Sequence, residues 1–220
     1  MDKHVINLTG ESLKRSLSEG NEESRVKKLK PYNNQTSIEM DIGNNCRVYA
    51  QRYAKTGDWY VHIRFYETSP TGKLFPSKKG VSMPLDKYKK LTEEVEEIDE
   101  ALRKLEEAGE DKNEEIKDEN EEPLYEKHLG ENIYVRVEKG FKRVDIRKWW
   151  LPESEKTIQP TRKGVSLQTE LWEDLKRTFP AFKDHLKKEL DQVRYCEEDH
   201  HNQMGMLACR SCNPNEWTNY

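Results

Sequence analysis

Hydrophobic and polar positions alternate over short stretches in the second half of the chain. The apolar positions with a spacing of two are Ile133, Val135, Val137, Val144 and Ile146. This period is typical of strands that bury one face. Gly140 and the residues around Pro152 supply turn signals beside them. The pattern predicts a small antiparallel sheet.

The same pattern occurs twice. Residues 76–83, Pro-Ser-Lys-Lys-Gly-Val-Ser-Met, recur as residues 160–167, Pro-Thr-Arg-Lys-Gly-Val-Ser-Leu. Residues 61–64 recur as residues 144–147. The spacings are 84 and 83 residues, so one residue inserted in a loop accounts for the difference. A repeat this long indicates a duplicated domain and not a solenoid unit.

An apolar stripe with spacings of three and four follows the sheet in each copy. Its members are Leu85, Tyr88, Leu91, Val95, Ile98, Leu102 and Leu105 in the first copy, and Leu171, Trp172, Leu175, Phe179, Phe182, Leu186, Leu190 and Val193 in the second. The stripes predict amphipathic helices, and Pro180 predicts a kink or a restart in the second one. Each stripe is longer than one small sheet needs, so we expect the copies to pack on each other through their helices.

The composition indicates that long solvated segments surround the two copies. The chain is 33% hydrophobic and 36% charged, with a mean hydropathy of -1.10, which predicts long polar stretches. We expect a disordered tail (residues 1–40), a first repeat (41–108), an acidic linker (109–123), a second repeat (124–195) and an appendage (196–220). Neither a membrane span nor a signal-peptide core is predicted, so a soluble, unsecreted protein is expected.

The net charge of -4 hides an uneven distribution. Residues 92–122 contain 16 acidic and 4 basic residues, a balance of -12, so the rest of the chain carries +8. A basic remainder favours a polyanionic partner such as nucleic acid. In the tail, Lys14 and Arg15 precede the basic cluster at residues 27–30, a spacing that resembles a bipartite nuclear import signal.

Several segments of the second repeat resemble a known family. They are Tyr-Val-Arg-Val at 134–137, Val-Asp-Ile-Arg-Lys-Trp-Trp at 144–150 and Arg-Lys-Gly-Val-Ser-Leu at 162–167, with Trp172 and Leu175 in the helix. Together they resemble the single-stranded-DNA-binding domain of the transcriptional coactivator positive cofactor four. The resemblance implies an α+β fold in which a curved four-stranded antiparallel sheet precedes a helix and two such units pair. A tandem copy would supply that pair as an intramolecular pseudo-dimer.

The resemblance also implies which residues bind DNA. Its phosphate-binding cations and stacking aromatic fall on Arg136, Lys139, Arg147, Arg162, Lys163 and Trp150, and in the first repeat on Arg64, Lys78 and Lys79. Cations neutralise phosphates, and an aromatic face stacks on any base. Glu138 replaces a second stacking aromatic, and Glu67 stands where the second repeat has Trp150. The first repeat is therefore expected to be the weaker binder or chiefly a structural partner.

Two adjacent tryptophans compete for the stacking role. Strict alternation along the strand places Trp149 on the face of Arg147, and Trp150 on the face of Val144 and Ile146. The resemblance instead places Trp150 against DNA. A bulge or loop after Lys148 would reset the alternation, and we expect Trp150 to be the contact.

The appendage contains a candidate metal site. Cys196, His200, Cys209 and Cys212 have the ligand types and number of a closed tetrahedral zinc site. His200 lies one helical turn from Cys196, which favours it over His201. The alternative is free thiols on a frayed tail.

Together with the resemblance, these features predict a nuclear, non-enzymatic coactivator that binds single-stranded or melted DNA and contacts the transcription machinery. We expect the protein to be a monomer. Two alternatives remain at this point. One is a protein-interaction scaffold whose acidic segment mimics DNA. The other is a zinc-stapled nuclease with a His and Asn motif, which is disfavoured because only eight residues follow Cys212.

Overall fold

The computed structural model describes residues 38–108, 122–152, 154 and 157–213. Both basic clusters of the tail lie outside these residues, as do residues 109–121 of the acidic linker. The three residues 38–40 are described, and two of them belong to the first strand. That strand therefore begins in the segment assigned to the tail.

Each repeat forms a four-stranded antiparallel sheet with its strands in sequence order. Sheet 1 comprises β1 Glu39–Asp41, β2 Cys46–Arg52, β3 Trp59–Thr68 and β4 Leu74–Pro84. Sheet 2 comprises β5 Tyr125–Gly130, β6 Ile133–Val137, β7 Arg143–Trp150 and β8 Gln159–Gln168. The alternating positions found in the sequence are buried on one face of each sheet.

The last strand of each sheet contains a bulge at the same place. Arg64 pairs with Gly80 and Tyr66 with Pro76, so a step of two residues on β3 faces a step of four on β4. In sheet 2, Arg147 pairs with Gly164, and Trp149 pairs with Pro160. The extra residues form bulge 1 (residues 77–79) and bulge 2 (residues 161–163). They are the basic part of the repeated sequence motif.

The helical part of the first repeat is divided. Helix α1 spans Leu85–Glu93 and α2 spans Val95–Ala108, with a break at Glu94, where φ is -93° and ψ is 10°. The apolar stripe continues across the break, since Leu91, Ile98 and Leu102 are all buried. Spacing alone predicted the buried face but not the break.

The second repeat ends in α3 Thr169–His185 and α4 Lys187–Leu190. The helix does not restart at Pro180, which lies inside α3, and the break falls at Leu186. Phe179 and Phe182 flank the proline, and both rings pack on Tyr88 of α1. Tertiary packing therefore supports the helix where the missing N–H weakens it.

One core joins the two repeats. Helices α1 and α2 of the first repeat pack on β5 and β6 of sheet 2, and α3 contacts β2 of sheet 1. The buried cluster is continuous from Val48 and Ile63 to Ile146 and Trp172. The expected intramolecular pseudo-dimer is thus confirmed, with each helix crossing to the other repeat.

A short segment follows α4. It contains a 3-10 helix, Cys196–Asp199, and α5 Gln203–Ala208. Among the described residues, no helix has the length and apolar character needed to cross a membrane.

Candidate nucleic-acid interface

The outer face of each sheet, opposite the shared core, carries cations and aromatic rings. On sheet 1 the outward cations and rings of β2 and β3 are Arg47, Tyr49, Tyr60, His62, Arg64 and Tyr66, all partly exposed. The alternation puts them on one surface because neighbouring side chains of a strand point to opposite faces.

The rings on sheet 1 form a continuous row. Tyr49 and His62 are cross-strand partners and stack at 4.6 Å with an interplanar angle of 9°. Tyr60 lies 6.4 Å from His62, and Tyr53 meets the Tyr60 ring edge-on at 5.9 Å. We call these four residues the ring row. Aromatic side chains half exposed on a sheet offer surfaces for stacking of bases.

His62 belongs to the ring row as a neutral ring. Burial, and then the nearby charge of Arg64, lowers the pKa of His62 to about 4. The imidazole therefore carries no charge near neutral pH, and it stacks as an aromatic group.

The outer face of sheet 2 has a different character. The guanidinium of Arg136 lies 3.5 Å from the ring centroid of Trp149 and forms an ion pair with Glu126. Tyr134 packs edge-on against the same tryptophan at 6.4 Å. Burial lowers the pKa of Arg136 despite the adjacent carboxylate of Glu126. This cation is engaged within the sheet.

One arginine of each repeat secures the adjacent bulge. Arg64 Nη1 donates to Ser77 O at 2.9 Å, and Arg147 Nη1 donates to Thr161 O at 2.7 Å. Arg147 also forms two hydrogen bonds to the carboxylate of Asp145, at 2.8 and 2.7 Å. These two arginines therefore have structural roles beside any contact with phosphate.

The glycine of the repeated motif makes room for that arginine. A Cβ on Gly80 would lie 3.0 Å from Arg64 Cγ, and a Cβ on Gly164 would lie 2.7 Å from Arg147 Cβ. The arginine side chain thus crosses the last strand at the one position that lacks a side chain.

The bulges present cations in matching geometry. Ser77 Oγ accepts from Lys79 N at 3.1 Å, and Thr161 Oγ1 accepts from Lys163 N at 3.1 Å. These turns hold Lys78 and Lys79 in bulge 1 as exposed residues. Arg162 and Lys163 are exposed in bulge 2, as is Lys139 in the turn between β6 and β7.

A family model supports the relationship of the two repeats. The model of Transcriptional Coactivator p15 (PC4) matches residues 40–94 and residues 127–178. The first match covers sheet 1 from Met40 and the whole of α1, and the second covers sheet 2 from Lys127 and the first part of α3. The chain carries two PC4 domains in tandem. PC4 proteins are DNA-binding transcriptional coactivators that bind single-stranded DNA.

The two tryptophans of the second PC4 domain occupy opposite environments. Trp149 is 6% exposed beneath Arg136, whereas Trp150 is 43% exposed. The irregular register lies on β8 and not on β7, so the alternation of β7 is not reset. Trp149 therefore shares the outer face with Tyr134, as alternation predicted, and the bulge expected after Lys148 is absent from β7. Trp150 is nonetheless the accessible ring.

The outer face of the first PC4 domain contains rings that sequence reasoning missed. Tyr49, Tyr60 and His62 lie at alternate positions beside Val48 and Val61, so their outward direction could have been predicted. Their contact across β2 and β3 depends on the pairing register, which the pattern did not provide. Glu67, the counterpart of Trp150, is exposed.

The predicted metal ligands come together after the second domain. The ligand atoms of Cys196, His200, Cys209 and Cys212 all lie within 4.8 Å of one another. Cys196 Sγ and Cys212 Sγ are 3.2 Å apart, and Cys212 Sγ lies 3.7 Å from His200 Nδ1. With zinc–sulfur bonds of about 2.3 Å, tetrahedral ligands are about 3.8 Å apart. The four donors lie close enough to bind one metal ion, and His201 is outside the cluster.

The thiols of this cluster have divergent proton affinities. Burial raises the pKa of Cys209, but the N–H groups of Cys212 and Ser211, with the neighbouring thiols, outweigh it and lower that pKa to about 7. Burial and the adjacent Cys196 raise the pKa of Cys212 to about 12. A thiolate is thus already favoured at Cys209, and thiolate is the form that binds metal.

The asparagine of the nuclease alternative bonds to the backbone of α5. Asn213 Nδ2 donates to Leu207 O at 2.8 Å, so its amide bonds within the appendage. The residues after Asn213 lie outside the described part of the chain.

Proposed function

We propose that this protein is a nuclear, non-enzymatic transcriptional coactivator that binds single-stranded or melted DNA on the outer faces of its two sheets. The observation that carries the proposal is the matched pair of bulges. Lys78 and Lys79 in bulge 1 correspond to Arg162 and Lys163 in bulge 2, and the same side-chain hydrogen bond orients each pair. Cations at equivalent positions of the two sheets can bind the phosphates of two segments of DNA backbone.

The aromatic rings add contacts that do not depend on base identity. Trp150 is exposed at the end of β7, the strand next to the one that carries bulge 2, and the ring row lies on sheet 1. Bases stack on such rings only when they are unpaired. We therefore infer a preference for single strands over duplex, and little preference among sequences.

The two domains would make different contributions to DNA binding. In the second domain Arg136 and Arg147 are partly buried and each is paired with a carboxylate, whereas Lys139 and the cations of bulge 2 are exposed and accessible to phosphate. In the first domain the outer face is richer in rings. The first domain would then be a base-stacking surface and not only a structural partner.

We also propose that one zinc ion binds Cys196, His200, Cys209 and Cys212. Four protein ligands leave no open position, so zinc would have a structural role. The shared core satisfies the pairing of PC4 domains within one chain, so the proposed species is a monomer that contacts DNA and the transcription machinery.

Competition binding tests the DNA proposal. A fluorescein-labelled 20-nucleotide single strand is bound by the full chain, then displaced by unlabelled single strand or by duplex of the same sequence. The expected result is displacement by the single strand at concentrations at least about tenfold lower than by duplex. Absence of saturable binding to either form would instead support the interaction-scaffold alternative.

A further inference from the structure

The candidate metal site lies against both repeats. Ser211, between two of the cysteines, accepts a hydrogen bond through its carbonyl oxygen from Glu131 N at 2.8 Å. Glu131 is in the turn between β5 and β6 of the second repeat. The Ser211 hydroxyl accepts from Lys87 Nζ, on α1 of the first repeat. One residue of the ligand loop therefore bonds to both halves of the pseudo-dimer.

Lys87 is an unusual residue at this contact. Its side chain is only 3% exposed, and its other partner is Asp86 Oδ2 at 2.6 Å. The Lys87 side chain passes over Gly130, which has a φ of +124°. A Cβ at position 130 would lie 2.5 Å from Lys87 Nζ, so only glycine leaves room for the ammonium group. A buried ammonium group requires hydrogen-bond partners. Ser211 supplies one from outside both PC4 domains.

The other end of the ligand set is also attached to α1. Tyr195 precedes Cys196, and its hydroxyl donates to Glu93 Oε2 at 2.5 Å. The ammonium groups of Lys89 and Lys90 lie 5.1 and 5.2 Å from the centroid of the Tyr195 ring. Lys90 also pairs with Glu197, which follows Cys196. Contacts to α1 thus lie on both sides of the first metal ligand, Cys196, and next to the last, Cys212.

We propose that metal coordination stabilises a connection between the two repeats. We call this connection, formed by residues 195–212 and their contacts to α1 and to the β5–β6 turn, the clasp. This inference rests on the zinc site proposed above. Ligation of Cys196 and Cys212 to one ion fixes the two attachment points, Tyr195 and Ser211, relative to each other. Without the ion, the loop that carries Ser211 loses its cross-link, and Lys87 keeps Asp86 as its remaining partner among those described. The metal then controls how often α1 separates from the β5–β6 turn.

Hydrogen exchange of the full chain measures this opening. Zinc content is first determined by native mass spectrometry, and amide exchange is then compared for zinc-loaded and chelator-treated protein. Peptides covering residues 85–93 and 125–133 should exchange at least about threefold faster after zinc removal, because exchange reports local opening. Peptides from β2 and β3 should change little.

The outcomes separate the two proposals. Protein that binds no zinc would refute the metal site, and the clasp with it. Protein that binds one zinc, but whose exchange changes only in residues 195–213, would refute the clasp and leave the metal site standing.

Ser211→Ala provides a variant that retains all four ligands. It should bind one zinc, as the unmodified chain does, yet exchange faster in residues 85–93, since Lys87 loses an acceptor. Met204→Ala is the matched control, because Met204 lies in the same appendage and is 71% exposed. Equal exchange in zinc-loaded Ser211→Ala, Met204→Ala and unmodified protein would overturn the clasp.

Discussion

Trp172 Nε1 donates a hydrogen bond to Asp99 Oδ1 at 2.7 Å, which joins α3 of the second repeat to α2 of the first. The indole is fully buried, and Lys176 Nζ binds the other carboxylate oxygen at 2.6 Å. Trp172 corresponds in the repeat to Tyr88. Both rings meet Phe179 edge-on, at 6.3 and 5.9 Å, but Tyr88 also packs on Phe182, whereas Trp172 bonds to Asp99. The two halves therefore use equivalent positions for different contacts across one interface.

Asp99→Ala should reduce the free energy of unfolding by about 1–3 kcal/mol, because it leaves the buried indole N–H without an acceptor. Urea denaturation measures the change. Asp174→Ala is the control, since Asp174 forms an exposed ion pair with Arg177 on α3, and such pairs contribute about 0–1 kcal/mol. Equal losses in the two variants would contradict the importance of the Trp172 bond.

The shared core predicts a monomer. Light scattering coupled to gel filtration should give a mass near 26.1 kDa over a wide range of concentrations, because the apolar faces of both helical segments are already covered. A stable species of twice that mass would show that repeats pair between molecules.

Replacement of each tryptophan in turn separates stacking from packing. Trp150→Ala should weaken single-strand binding by about 1–3 kcal/mol, the range for loss of one stacked base, with little change in stability. Trp149→Ala should instead lower the free energy of unfolding by about 3 kcal/mol, because it removes a buried ring beneath Arg136. Binding unaffected by Trp150→Ala, in protein that remains folded, would remove Trp150 from the interface.

His62 should make stability depend on pH. The unfolded state takes up a proton near pH 6.5, but the folded state does so only near its lowered pKa of about 4. Stability is therefore present above pH 6.5 and falls as the pH decreases from 6.5 to 4. His62→Phe keeps a ring against Tyr49 and cannot titrate. The unfolding free energy of the unmodified protein, relative to this variant, should fall by about 1–2 kcal/mol between pH 7 and pH 5. A constant difference would contradict a partly buried imidazole that stays neutral near pH 7.

The sequence predicted most of the fold through two local signals. Alternation at Ile133, Val135 and Val137 indicated the strands, and the repeated motif indicated the second copy. The break at Glu94 and the continuity of α3 through Pro180 were not predicted, because they depend on packing between the repeats. Helical periodicity identifies a buried face but not the partner that covers it.

The interface was predictable only in part. The repeated Lys-Gly-Val-Ser sequence indicated a second copy of the domain, but not the bulge that precedes its glycine or the arginine of the neighbouring strand that this glycine accommodates. That relationship joins Arg64 to Gly80 and Arg147 to Gly164 across the sheet. A single sequence gives neither the pairing register nor the carboxylate partners of Arg136 and Arg147.

The central claim is that the two bulges bind the backbone of single-stranded DNA. Anisotropy titrations of a labelled single strand, from 50 to 200 mM salt, test it most directly. They compare the unmodified chain with a bulge variant carrying Lys78→Ala, Lys79→Ala, Arg162→Ala and Lys163→Ala. A control variant removes the same number of exposed charges from the helices by Lys104→Ala, Arg177→Ala, Lys183→Ala and Lys188→Ala.

Each phosphate contact on a single strand contributes about 0.7 to the slope of log K against log salt. Four contacts therefore predict a slope near -3 or steeper for the unmodified chain, a loss of about 60-fold in affinity over this range. The bulge variant should bind more weakly and with a slope reduced by up to about 3, whereas the control should keep the slope of the unmodified chain. Equal slopes for the bulge variant and the unmodified chain would contradict the claim.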